Sequence, residues 1–515
     1  MTTTHERLRG EWTRFRRPGR LIAMAAAALA VVLLGLLYAS GNRASCDGTC
    51  PPAPTARDGS RVNDQFALYH RDLGENGSIT VRMTSMTGTI TYPPPGHDRI
   101  VPGLVPWAKA GIIIKDGLRQ GSPYAALMLT GSHGVRMQYD YRHDIAGSAG
   151  GVSAASPRWL RLTRSGDTVT GEESPDGTRW TRVGSARLSG LPGTVRVGLF
   201  ATSPGDLTLR RAGLGGATEQ VRFTQAGGVF DRVDVRGGAS SDGWRSDIVG
   251  TMNETEWERD HRASGAVEKD GTVTVTGVGD IGPGGTENGN RPVEGTLGGL
   301  SLALLVVLVV AVRFTTAGGA ARLTRPELVA RAAVVGAVTF VTGLLAVGIV
   351  VPAGAAILEG NGIPVIAVPA STTVRVVVGT AAALALAAVL AVALGSLLRR
   401  ARFALPVAVL AIAVPYVVTS VPLLADELAR WLLRVTPTAG FGTRQTLVPY
   451  PQVTAHYAPS AGYFPLPWWA GLAVLCGYVV VLLGWALTRL PRTAGEEASA
   501  PAAGEEASAE PAAWR

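Results

Sequence analysis

Lysine is almost missing from this chain: of 48 basic residues among 515, only Lys109, Lys115 and Lys269 are lysines. Arginine therefore carries nearly all of the formal net charge of +9. The arginines gather beside apolar runs, without the interleaved stacking aromatics of single-strand nucleic-acid binders, so nucleic acid is not an expected partner. Cysteine is equally scarce. Cys46 and Cys50 in CDGTC and the distant Cys476 fall short of the four ligands a structural metal site needs. Cys46 and Cys50 are either two plain thiols or a local disulfide in an oxidising compartment. No GxxxxGK[ST] phosphate loop occurs, so the chain is not expected to hydrolyse ATP itself, and no HExxH zinc pattern or EF-hand loop is present. No cofactor is expected.

Charge is also absent from six long apolar runs: Leu21–Ser40, Gly295–Val312, Ala332–Ile357, Val376–Leu398, Phe403–Leu424 and Trp468–Leu487. A spanning helix needs about 20 apolar residues to cross about 30 Å of hydrocarbon. A charge at its centre costs at least about 2.5–3.5 kcal/mol, so charge-free runs of this length read as transmembrane helices. Arginines set the orientation. Arg7 to Arg20, Arg313 to Arg331, Arg399 to Arg402, and Arg489 with Arg492 all fall on one side if both termini are cytoplasmic. The opposite side keeps Arg375 near the fourth span and Arg430, Arg434 and Arg444 in a longer loop. The first run exceeds a signal-peptide core, and Arg43 stands where a lipoprotein signal wants an aliphatic residue, so an uncleaved anchor is expected. The expected organisation is a cytoplasmic segment 1–20, first helix 21–40, linker 41–61, extracellular domain 62–290, helices two to six within 295–490, and a cytoplasmic tail 491–515. The tail repeats AGEEASA and lacks large apolar residues, so it reads as disordered.

Between the first two spans the hydrophobic period changes to two. Ile79–Met83, Ile112–Lys115, Tyr124–Thr130, Val135–Tyr141, Trp159–Arg164, Val195–Ala201, Val221–Val235 and Val273–Val278 read as strands. Ser165-Gly166-Asp167 and Asp176-Gly177 read as hairpin turns. Many strands without intervening helices predict an all-β jelly-roll sandwich. WAKAGIIIKDG at 107–117, YAALMLTGSHGVRMQY at 124–139, RWLRLTRSGDTVTG at 158–171, SPDGTRW at 174–180 and VRVGLFATS at 195–203 resemble the concanavalin-A-like lectin/glucanase sandwich. The resemblance implies carbohydrate binding, with Trp107, Tyr124, Trp159 and Trp180 as candidate sugar-facing aromatics; filling the core or covering sheet edges is the competing and favoured role for them. Glycosidic catalysis requires two carboxylates about 5–9.5 Å apart. Glu172 and Glu173 are adjacent in a strand and point to opposite faces, so no enzymatic activity is expected.

The spans lack intramembrane carboxylates of the kind proton-coupled carriers use. LVARAAVVGAVTFVTGLLAVGIVVP at 328–352, VRVVVGTAAALALAAVLAVALGSLLRRAR at 374–402 and the stretch 431–487 resemble type 2 ABC transporter permeases of the actinobacterial kind, with an exterior insertion after the first of six spans. This resemblance implies a plasma-membrane exporter subunit, a homo- or heterodimeric second permease, and a separate ABC ATPase. It makes Arg322, Leu323, Arg325, Pro326 and Leu328 candidate ATPase-coupling residues; positive-inside arginine alone is the competing account. It also implies short helices between spans five and six. There Leu424, Leu428, Trp431, Leu432 and Val435 form an apolar stripe, and Asp426 and Arg430 are spaced to pair. Tyr463, Phe464, Trp468 and Trp469 are expected to anchor the sixth span, and Pro406, Pro415 and Pro422 to bend the fifth. The alternative is a membrane-anchored glycan-binding or cell-wall attachment protein without transport activity.

Overall fold

The computed structural model describes residues 4–45, 52–92, 99–237, 243–250, 256–286, 289–317 and 323–492. Cys46, Cys50, Arg322 and the tail beyond 492 lie outside the described residues.

Six helices are long and apolar enough to cross a membrane: Pro18–Gly41, Val293–Thr316, Arg325–Gly360, Ala370–Leu398, Ala401–Ser420 and Trp468–Thr488. The third starts at Thr-Arg-Pro-Glu, where the Glu327 carboxylate accepts from the Thr324 N–H at 2.9 Å in a capping box, with proline in the first turn. The fifth is expected to run to Leu424 but stops at Ser420. Pro422 disfavours helix at Val421, which is extended. Within it a π-helical turn, Val409–Ala413, separates two α-helical pieces and lies between Pro406 and Pro415.

The helices approach closely through glycine. A Cβ on Gly35 would stand 2.2 Å from the Thr296 carbonyl and 2.3 Å from the Val350 side chain, so the first span lies directly on the backbone of the second and on a side chain of the third. Gly471 meets the Ala439 carbonyl in the same way, seating the segment Pro437–Arg444 against the sixth span.

Between the first two spans the chain forms two stacked antiparallel sheets. One runs in the order Arg245–Val249, Phe66–Leu73, Val195–Thr202, Lys109–Lys115, Tyr124–Thr130, Val135–Tyr139 and His143–Ala146. The other has Asn76–Thr91 and Gly216–Arg236 at its centre, paired from Phe223 opposite Thr91 to Arg236 opposite Ser78 with register shifts at Val229/Phe230 and Asp231/Asp234. Alternate residues such as Ile112, Ile114, Leu127 and Leu162 fill the space between the sheets. The outer face of the first sheet is covered too, which is why Lys109–Lys115 is buried along its whole length.

That cover is a ribbon of Val62–Asp64 and Ile281–Pro283, the first and last strands of the β-domain. Two of the three lysines hold it down. The Lys115 ammonium donates to Asp64 Oδ2 at 2.7 Å, to the Ser122 carbonyl at 2.9 Å and to the Tyr141 hydroxyl at 2.9 Å. Lys109 pairs with Asp280 and donates to the Ile281 carbonyl at 2.6 Å. Burial pulls the Lys115 ammonium below the usual lysine range, with Asp64 opposing it.

Candidate functional site

The β-domain is stitched to one end of the helices by hydrogen bonds from distant segments. The Arg291 N–H donates to the Pro364 carbonyl at 2.9 Å, the Leu214 N–H to that of Leu423 at 2.9 Å, and the Gln452 amide to that of Arg142 at 3.1 Å. Between these stitches lies a cavity of about 510 Å³. The β-domain supplies Arg61 and Arg142, the fourth span Arg375, and the 442–468 segment Thr446, Tyr450 and Trp468.

Arg142 is compensated by Asp58 at 3.1 Å. The Ser60 hydroxyl, donating to Asp58 at 2.6 Å, helps hold that carboxyl below its ordinary value, so it stays ionised. Arg61 and Arg375 are different. Among the described residues Arg61 donates only to the carbonyls of Ala53 at 3.1 Å and Val365 at 3.4 Å, and Arg375 to that of Gln445 at 2.6 Å. Among the described residues neither has a carboxylate within 4.0 Å. Glu294 is held by the Thr446 N–H and hydroxyl and reaches Arg375 only through space. Two helices begin at the wall as well, since Pro369 and Pro467, the caps of the fourth and sixth spans, line the cavity. Their N-termini each add about half a positive charge.

The residues singled out from sequence fall elsewhere. Tyr124 is fully buried, against Tyr141 and Lys115, which corrects its candidacy as a sugar platform: its outward-facing strand position is roofed by the ribbon. Trp107 is 7% exposed and stacks on His133 at 4.0 Å. Trp159 and Trp180 are partly exposed on the outer face of the other sheet, with the Arg161 guanidinium 4.0 Å above Trp180. Glu172 pairs with Arg161 on that face, whereas Glu173 turns inward to the Ser148 N–H at 2.7 Å. At the other end of the bundle Leu323 and Leu328 are buried among the spans, and Arg325 and Pro326 form the first turn of the third span. Arg325 donates to the Leu490 carbonyl at 2.8 Å. Among the described residues the link between spans two and three contains no helix.

Asp426–Val435 is a helix with Leu428, Trp431 and Val435 exposed, as the stripe predicts. The expected Asp426–Arg430 pair is replaced: Asp426 bonds His456 at 2.6 Å, and Arg430 pairs with Glu427. Trp468 and Trp469 are exposed at the start of the sixth span.

Sequence inspection missed three things. Thr4–Phe15 is a helix, with Glu11 buried against Arg331 at 3.2 Å and Phe15 edge-on to Phe314 at 5.2 Å; Leu8, Glu11, Trp12 and Phe15 lie at helical spacing and could have revealed it. The ribbon ion pairs were not anticipated, nor was the cavity. Its signal was the arginine inventory: Arg375 and Arg444 break the positive-inside pattern, and both have a structural reason for standing where they do. Arg444 donates to the Tyr416 hydroxyl at 2.6 Å.

No family model and no curated protein matches the chain. Among solved structures, a scytalido-glutamic peptidase with a transition-state analogue inhibitor aligns at 10% identity and a TM-score of 0.27, covering 41% of this chain and 98% of that one. SCP-B, a member of the eqolisin family of peptidases in complex with the tripeptide Ala-Ile-His, aligns at 11% and 0.23 over 41% and 98%. A functionally unknown protein from Saccharomyces cerevisiae aligns at 15% and 0.20 over 33% and 74%. Peptidases are among the structures matched, where no enzymatic activity was expected. At these TM-scores the likeness carries no argument for any particular activity.

Proposed function

We propose that the chain is the membrane-spanning permease subunit of a type 2 ABC exporter, working as a homo- or heterodimer and powered by a separate ABC ATPase. In this reading it lies in the plasma membrane with both termini cytoplasmic and the β-domain outside. The observation that carries the reading is the fold of the chain between the fifth and sixth spans. Asp426–Val435 lies with an apolar side exposed, and Pro437–Gly442 is buried against the sixth span beside a fifth span broken by a π turn. Short helices folded back into the bundle beside a deformable span suit a gated route better than a plain anchor. The β-domain, with a jelly-roll, concanavalin-like plan in this reading, would sit over the outer mouth and present glycan or substrate there through Trp159 and Trp180.

The Thr4–Phe15 helix, the start of the third span and Arg489 gather at the opposite end, where an ATPase would dock. With Leu323 and Leu328 buried, the exposed Val329 and the arginines are the surface left for it.

Purification of the tagged full-length chain from its native membrane in mild detergent tests the reading. An ATP-binding-cassette subunit in stoichiometric amount is expected, with ATPase activity in the complex. Recovery of the chain alone, with normal function after residues 295–490 are replaced by one helix, would favour a membrane-anchored glycan-binding or wall-attachment protein instead.

A further inference from the structure

We propose that the junction cavity binds the phosphate headgroup of an anionic membrane amphiphile, with the lipid-facing side of the fourth and sixth spans receiving its tails. The inference rests on the reading that the six helices lie in lipid and names a ligand class for the cavity.

Charge comes first. Arg61 and Arg375 reach the cavity wall from the β-domain and from the fourth span, and their described hydrogen bonds go to neutral carbonyls only. Glu294 answers the Arg375 charge only from beyond contact distance. A guanidinium drawn partly out of water with no carboxylate in contact gains from a bound anion. Its planar fork of donors matches phosphate oxygens. The capped starts of the fourth and sixth spans add positive potential from the same side.

Access comes second. Val448 and Trp468 belong to the cavity wall and are 58% and 43% exposed. Val374 and Trp469, near the starts of the fourth and sixth spans, are 60% and 62% exposed. The cavity lining is thus basic through Arg61, Arg142 and Arg375 and apolar through Val448, Val453 and Trp468. A free anion would use only the first half of this lining; a headgroup with acyl chains uses both. Tyr450 and Trp468 suit the headgroup level, where amphipathic rings concentrate.

The test is lipid retention by the purified full-length chain in detergent, read by native mass spectrometry with added phosphatidylglycerol. Phosphatidylglycerol is expected to bind more tightly than zwitterionic phosphatidylcholine. Losing one charge-assisted contact corresponds to about tenfold weaker binding, so Arg61→Gln and Arg375→Gln should each show at least that loss. Arg375→Lys should retain most of the binding, which separates charge from misfolding. Arg179→Gln, an exposed charge paired with Asp176 on a β-domain hairpin, should change nothing. Equal binding of both lipids, or indifference to the Arg61 and Arg375 substitutions, overturns the proposal. Displacement of the lipid by inorganic phosphate at matching concentration also overturns it, and assigns the cavity to a free anion. No ATPase enters the measurement, so a missing ATPase partner would defeat the export reading without touching this result.

Discussion

The β-domain and the helix end that faces it both enclose basic side chains, and they treat the charge in opposite ways. Inside the β-domain Lys115 and Lys109 are buried, but each meets a carboxylate from the ribbon, Asp64 or Asp280. An ammonium is a compact charge with three donors, and Lys115 uses them on three acceptors. At the junction the hydrogen bonds of Arg61 and Arg375 among the described residues go only to carbonyls. A charge neutralised by its own chain holds a fold together; one left open is available to something else. The helices themselves avoid the question, packing through Gly35, Gly471 and Gly343 where no polar group is needed.

The contrast breaks most readily at the lysines. Lys115→Met leaves Asp64 buried and unpaired and should cost about 3–5 kcal/mol of stability. Lys115→Met with Asp64→Asn should recover a large part of that loss in denaturant unfolding of the full chain. A loss no greater than that of Arg375→Gln would erase the distinction between the two regions.

A smaller effect is expected among the spans. Gly35→Val drives a branched side chain into the Thr296 carbonyl and Val350, for about 1–3 kcal/mol, seen as a lowered midpoint in detergent while the β-domain keeps its own transition. Arg375→Gln should change stability by only about 1 kcal/mol, the worth of its bond to Gln445, while lipid retention falls.

The smallest effect is a pH dependence confined to the β-domain. Burial lowers the His70 imidazole below its ordinary value, against the opposing hydrogen bond that it donates to Asp247. The folded state therefore binds this proton less readily than the unfolded chain. Its contribution is complete above an unfolded value of about 6.5 and fades as pH falls through the lowered folded value. Thermal midpoints should drop below that pH, and His70→Gln should flatten the slope.

Much of the fold is legible locally. Tyr124–Thr130 is a strand over the predicted residues, and the Ser165-Gly166-Asp167 and Asp176-Gly177 turns close hairpins as expected. The strands Thr168–Ser174 and Thr181–Arg187 that they lead into were not anticipated. Phe66–Leu73 escaped notice because its His, Arg and Asp break the alternation, although His70 is itself buried against Asp247. The candidate site was less visible. Nothing near Arg375 in sequence says that its neighbours will be Gln445 and Trp468.

What the amino-acid sequence determined alone is the set of six spans and the run of strands between the first two. Both follow from sums over contiguous residues: the cost of placing side chains in hydrocarbon and the period of a pleated chain. Only the tertiary structure decided which charges are answered. Lys115 and Asp64 stand 51 residues apart, Lys109 and Asp280 171, and Arg375 and Gln445 70. Partnership over such separations depends on where the sheets and helices come to rest, which no local pattern records.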